Sequence, residues 1–138
     1  MLTRVLLALA FICGMAGASS AEDAKVVVLG ITTHEVTQAE IEKGSLPTPQ
    51  FNTPAVAYVL AANLDKGDVV DIELVNGDTS LMRNSQTVAE HKATVLLQAG
   101  KRGVPAGGWP EGAYHAALKI TREGKTLLEQ SSQPVQLN

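Results

Sequence analysis

The chain has one cysteine, Cys13, in 138 residues. That cysteine sits in an apolar leader, so residues 22–138 hold no thiolate. This excludes a disulfide framework in the folded domain, and it excludes the cysteine-ligated copper centre of electron-transfer proteins. Cations are sparse and unclustered, with 11 Lys and Arg against 14 Asp and Glu, so no basic surface for nucleic acid or anionic membrane is expected. Past the leader, no run approaches the roughly 20 apolar residues of a membrane helix, so no transmembrane segment is expected. Aromatics are scarce, with one Trp, two Tyr and two Phe. With no disulfide available, core packing must supply the stability.

Residues 1–21 begin with a single cation, Arg4, continue through the apolar run Val5–Cys13 and end in small residues at Ser19-Ser20-Ala21. This is the layout of a secretory signal peptide cleaved after Ala21, with Ala18 as the alternative site. The bulky Phe11 and Ile12 before Cys13 fit poorly the small residues that precede a lipidated cysteine. Removing 21 residues leaves 117, enough for one domain, with ten basic and fourteen acidic side chains. A periplasmic or secreted location is expected.

Short alternating segments dominate the remainder. Val26–Thr33 is β-branched and reads as a first strand. Thr37-Gln38-Ala39-Glu40 matches a capping box, Ile41 is apolar and Gly44 is a stop, which together predict a short helix near residues 38–43. Residues 45–54 carry three prolines and read as a loop. In 54–64, Val56, Tyr58, Leu60, Ala62 and Leu64 fall on one face and Ala55, Ala57, Val59 and Ala61 on the other, the pattern of a central strand. Val69–Val75 alternates as a half-buried strand, and Asn76-Gly77 signals a hairpin. Residues 79–90 have room for a short edge strand around Leu81-Met82. Lys92–Ala99 places Ala93, Val95, Leu97 and Ala99 inward.

The last third carries the clearest pattern. Trp109-Pro110-Glu111-Gly112-Ala113-Tyr114 leads into a strand with Tyr114, Ala116, Leu118 and Ile120 inward. Glu123-Gly124 then turns the chain, and a closing strand holds Leu128, Val135 and Leu137, with Pro134 marking an interruption at an edge. About seven short strands predict an all-β antiparallel sandwich. The Trp-Pro-x-Gly-x-Tyr segment, the Gly turn and the Lys66-Gly67-Asp68 turn resemble immunoglobulin-like and fibronectin type III-like domains of secreted bacterial proteins. The resemblance runs from about Phe51 onward and leaves residues 22–50 unexplained. It implies that Tyr114 is a tyrosine-corner residue bonded to backbone upstream. Both cysteines of an antibody-type inter-sheet disulfide are missing.

Chemistry-bearing residues are dispersed. His34, His91 and His115, with Met82 as a softer ligand, are the metal candidates, and no two histidines share a helical or strand spacing. His34 and His115 are the weak pair: if the first strand pairs beside the last strand, one strand lies between the two histidines and their rings are about 9–10 Å apart. Solvated surface histidines are the better account. Ser80, Ser85, Ser131 and Ser132 lack a nucleophile-elbow context. Glu40 and Glu42 point to different sides of the short helix. The loop Gly103–Gly108 lacks the lysine and helix of a phosphate loop. Trp109 reads as a plug of the core rather than a stacking platform. These residues predict no catalytic, cofactor or metal site. They predict a non-enzymatic binding module for a protein partner, docking at residues 79–90 or 126–137. The alternative is a carrier of carbohydrate or metal using the loops near Trp109 and the 37–53 connection.

Overall fold

The computed structural model describes residues 24–101 and 103–137, so the signal-peptide reading of residues 1–21 lies outside the described residues. Among those described, eight strands and one short helix follow in the order β1 (Lys25–Thr32), α1 (Gln38–Lys43), β2 (Ala55–Leu64), β3 (Val69–Asn76), β4 (Thr79–Thr87), β5 (Lys92–Lys101), β6 (Gly112–Arg122), β7 (Lys125–Ser131) and β8 (Val135–Leu137). No helix among them is long and apolar enough to cross a membrane.

The strands form an all-β antiparallel sandwich. One sheet runs β1-β2-β5, and the other runs β4-β3-β6-β7 with β8 also on β6. The third and sixth strands are thus neighbours in one sheet while the second and fifth share the other, as in an immunoglobulin-like layout. Between the sheets lies the aliphatic core. Ala55, Ala57, Val59 and Ala61 of β2 meet Val70, Ile72 and Leu74 of β3 and Ala116, Leu118 and Ile120 of β6. Small side chains on β2 let the two sheets approach closely.

The larger face of β2 has its own cover. Tyr58 and Leu60 pack with Val36, Ile41, Val28, Leu46 and Leu96 in a second cluster, so the 33–54 connection forms a third layer over the outer side of β1-β2-β5. Its helix forms where the capping box predicted it: Glu40 N donates to Thr37 Oγ1, Thr37 N donates to Glu40 Oε1, and Gly44 closes the helix at φ 76. Gln98 of β5 clamps this layer, accepting from Val36 N at 2.7 Å and donating to Val36 O at 3.0 Å. Thr32 pins its far end by donating to Pro47 O at 2.8 Å.

Four details differ from the sequence reading. Leu64 joins the inter-sheet core rather than the Tyr58 face, because Asn63 adopts φ 61 and breaks the alternation. Ala93 is exposed, lying at the rim where β5 begins. The edge strand near Leu81 is nine residues long, and its hairpin turns on Gly77-Asp78, with Gly77 alone at positive φ, while Asn76 pairs with Thr79. Finally, β7 and β8 are two pieces of one edge strand, which makes eight strands of the expected seven.

The break between them is bridged by a side chain. Ser132 N donates to Ala116 O at 2.9 Å, and Ala116 N donates to Ser132 Oγ at 2.8 Å in place of a ladder bond. Removing the hydroxyl strands a donor in a buried strand, at a cost of about 1–3 kcal/mol. Ser132→Ala is therefore expected to lower the urea midpoint measurably, whereas Ser132→Thr, which keeps the hydroxyl, stays close to the parent. Equal stability of both variants would contradict this role.

Candidate functional site

The three histidines are kept apart by the topology. His34 lies beyond the end of β1, with Nε2 2.8 Å from Glu40 Oε2 and Nδ1 3.2 Å from Thr33 Oγ1. That contact holds the Glu40 carboxyl below its usual pKa. His91 Nδ1 lies 2.8 Å from Asp65 Oδ1 at the opposite end of β5. His115 stands on β6, across from Val75. The premise that β1 lies beside the last strand is corrected. The apolar central strand β2 takes β1 as its own neighbour, so β1 and β6 belong to different sheets. Among the described residues no group of three His, Cys, Asp or Glu side chains is placed to hold a metal.

The other candidates have structural partners. Glu40 closes the capping box, and Glu42 accepts from Gln38 Nε2 at 3.3 Å. Ser80 Oγ donates to Glu73 at 3.1 Å, and Ser132 bridges the broken edge. Met82 packs against the core.

Trp109 is 6 % exposed. Its indole Nε1 donates to Thr53 O at 2.7 Å, its backbone N donates to Phe51 O at 2.8 Å, and its ring meets Tyr114 edge to face with centroids 6.1 Å apart. The Tyr114 hydroxyl donates to Pro110 O, four residues upstream, at 2.5 Å. Gly112 makes this corner feasible. Its φ is 153, and a Cβ there would stand 2.1 Å from Asn76 Oδ1. The indole ring is spent on closing the sandwich and offers no free face.

Neither protein-family models nor curated proteins match this sequence.

Two recesses carry polar or charged side chains in their walls. One of about 370 Å³ lies on the outer face of β4-β3-β6-β7, floored by Ala117 and walled by Asp71, Glu73, Arg83, Lys119 and Glu129. Arg83 is already engaged there, donating to both Asp71 oxygens at 3.0 and 2.7 Å. The second, of about 360 Å³, is walled by His34, Glu35, Val56 and Gln98, and its Gln98 amide is occupied by Val36. A third, smaller and more apolar, lies beneath α1.

The two flanks of the sandwich differ more sharply. Where β4 and β5 meet, the seam is stitched by Asn84: its Nδ2 donates to Gln98 O at 2.8 Å and its Oδ1 takes Ser85 N at 2.9 Å. That blunts the β4 edge. The opposite flank carries β1 and β7, the free edges of the two sheets. Each is bulged. The register slips across Val27 on β1, and Leu127 is the extra residue on β7 between the Leu128 and Thr126 pairs. The bulges turn both side chains outward, Val27 52 % and Leu127 42 % exposed. Lys25 lies across from Ala62 near the turn into β3, and β3 starts opposite the end of β6 where β7 begins. Val27 and Leu127 therefore share one end of one flank. The sequence reading missed both, although its signal was present: Val26-Val27-Val28 and Leu127-Leu128 are consecutive apolar residues that strict alternation cannot bury.

Proposed function

We propose that this chain is a non-enzymatic binding module of the periplasm or extracellular space, and that it binds a protein partner on the β1/β7 flank. The observation that carries the reading is the pair of bulges that expose Val27 and Leu127 at the same end of the two free edges on one flank. Apolar side chains displayed together at an unpaired edge favour a protein surface as the ligand. Bulges disrupt the backbone ladder, so the partner docks by side-chain contact with these residues rather than by adding a full strand. The location rests on the leader-like sequence of residues 1–21. The family resemblance of the final hairpin supports a binding scaffold as well. Carbohydrate carriage by Trp109 is disfavoured because a sugar needs an open aromatic face.

The test is site-specific photo-crosslinking in the native cell, with p-benzoylphenylalanine at Leu127 and, on the opposite flank, at Ser85. A protein adduct from position 127 that is absent from position 85, and is lost when Val27→Glu is added, is the expected result. No adduct at 127, or the same adduct at both positions, would overturn the proposal.

A further inference from the structure

The layer formed by the 33–54 connection leaves a groove of about 230 Å³ beneath α1, lined by Val28, Ile41, Gly44, Leu46 and Tyr58. Val28, Ile41 and Leu46 supply apolar walls. Tyr58 is the exception. It is only 7 % exposed, and among the described residues its hydroxyl has no hydrogen-bond partner. Its ring lies over Gly30 on the neighbouring strand, where a Cβ would come within 2.9 Å of the phenol oxygen. Glycine at position 30 is what lets the hydroxyl reach this place. Burial also raises the Tyr58 pKa, so the phenol is neutral and acts as a donor.

A neutral phenol placed among aliphatic walls with no protein acceptor is a poor stabilising device, because an unpaired buried hydroxyl is costly. It is a good recognition device, since apolar pockets gain specificity from a few convergent polar groups. No charged side chain lines the groove, which disfavours an anion. At the roughly 30 Å³ that liquid water takes per molecule, the space suits about eight non-hydrogen atoms.

We infer that the groove beneath α1 is a binding site for a small neutral amphiphile, an apolar body seated on Val28, Ile41 and Leu46 with one acceptor oxygen bonded to the Tyr58 hydroxyl. This site is separate from the β1/β7 flank, and its test does not depend on a protein partner.

Acetophenone, a ring with one carbonyl, and ethylbenzene, the same ring without the acceptor, are the probes. Each is titrated into the 22–138 protein and followed by amide chemical shifts. The expected result is that acetophenone shifts Val28, Ile41, Gly44 and Leu46 saturably, and that Tyr58→Phe weakens it about fivefold, the worth of one hydrogen bond. Ethylbenzene binds the parent and Tyr58→Phe equally. Leu46→Trp, which fills the groove, abolishes both while the amide spectrum stays that of a folded chain. Absence of saturable shifts, or equal acetophenone affinity for the parent and Tyr58→Phe, would overturn the inference.

Discussion

Asp68→Asn is expected to cost about 3 kcal/mol of folding stability, the lower end of what breaking a buried ion pair costs. Asp68 is fully buried in the turn between β2 and β3, yet it is ionised. Arg122, at the end of β6, donates to it through Nε and Nη2, both at 2.8 Å, and Asp65 N donates to Oδ2 at 2.8 Å. The backbone of Asp68 is tied in too, since Val88 N donates to its carbonyl at 2.8 Å and Asp68 N to Asp65 O at 3.0 Å. The carboxylate thus fastens the β2–β3 turn to the far end of β6, and the backbone carbonyl ties the turn to the segment before β5. The amide variant keeps the shape, but it turns an NH2 group or a neutral oxygen toward a guanidinium that needs an anion. Asp65, whose carboxylate lies 3.3 Å from Arg122, offsets part of the loss. In urea the midpoint should fall by between about 1 and 3 M. Arg122→Gln should cost a similar amount, and the double variant less than the sum of the two. Additive losses would mean that the pair is not coupled.

The same pair sets the acid limit. The Arg122 hydrogen bonds hold the Asp68 carboxyl below its usual pKa, outweighing the burial that pushes it up. A carboxylate whose folded pKa is depressed contributes its stability in full above the unfolded value, about 3.9, and loses it as pH falls through the lower folded value. Stability of the parent should therefore drop below about pH 4, with a shallower decline in Asp68→Asn.

Local patterns made most of this fold legible. Alternation located the strands, the capping box at Thr37 located α1, and Glu123-Gly124 located a two-residue turn in which both residues take positive φ. Events that depend on two distant segments were not legible. The apolar outer face of β2 demanded a cover, but nothing local said that Val36, Ile41 and Leu46 would supply it, or that Gln98 would clamp it across 62 residues of chain. Asp68 and Arg122 are each unremarkable as a turn acid and a strand-end base, and only the register of β3 on β6 brings them together. Among candidate site residues the histidines were visible at once and are scattered. Val27, Leu127 and Tyr58 matter because a bulge or a facing glycine gives them unusual exposure or depth, and composition does not encode that.

Trp109→Ala is expected to be as damaging as the loss of Asp68, at about 3–5 kcal/mol for a buried tryptophan. Three effects combine at this corner. A large buried ring disappears from the end of the core, the Thr53 carbonyl loses the indole donor, and Tyr114 loses its edge-to-face neighbour. The segment 51–54, which leads the third layer into β2, is held to the 108–109 turn by two hydrogen bonds from Trp109, and the substitution removes one of them. Tyr114→Phe, which deletes the bond to Pro110 O and the hydroxyl's contact with the Asn76 side chain, should cost about 1 kcal/mol. The indole and the phenol share one packed corner, so the double variant should be less destabilised than the sum, with a coupling between about 0.5 and 3 kcal/mol. Chemical denaturation of the four proteins measures this cycle. A stacking platform would behave in the opposite way, with Trp109→Ala leaving the urea midpoint unchanged and removing a carbohydrate response instead. Loss of stability without any carbohydrate response in the parent assigns the tryptophan to architecture.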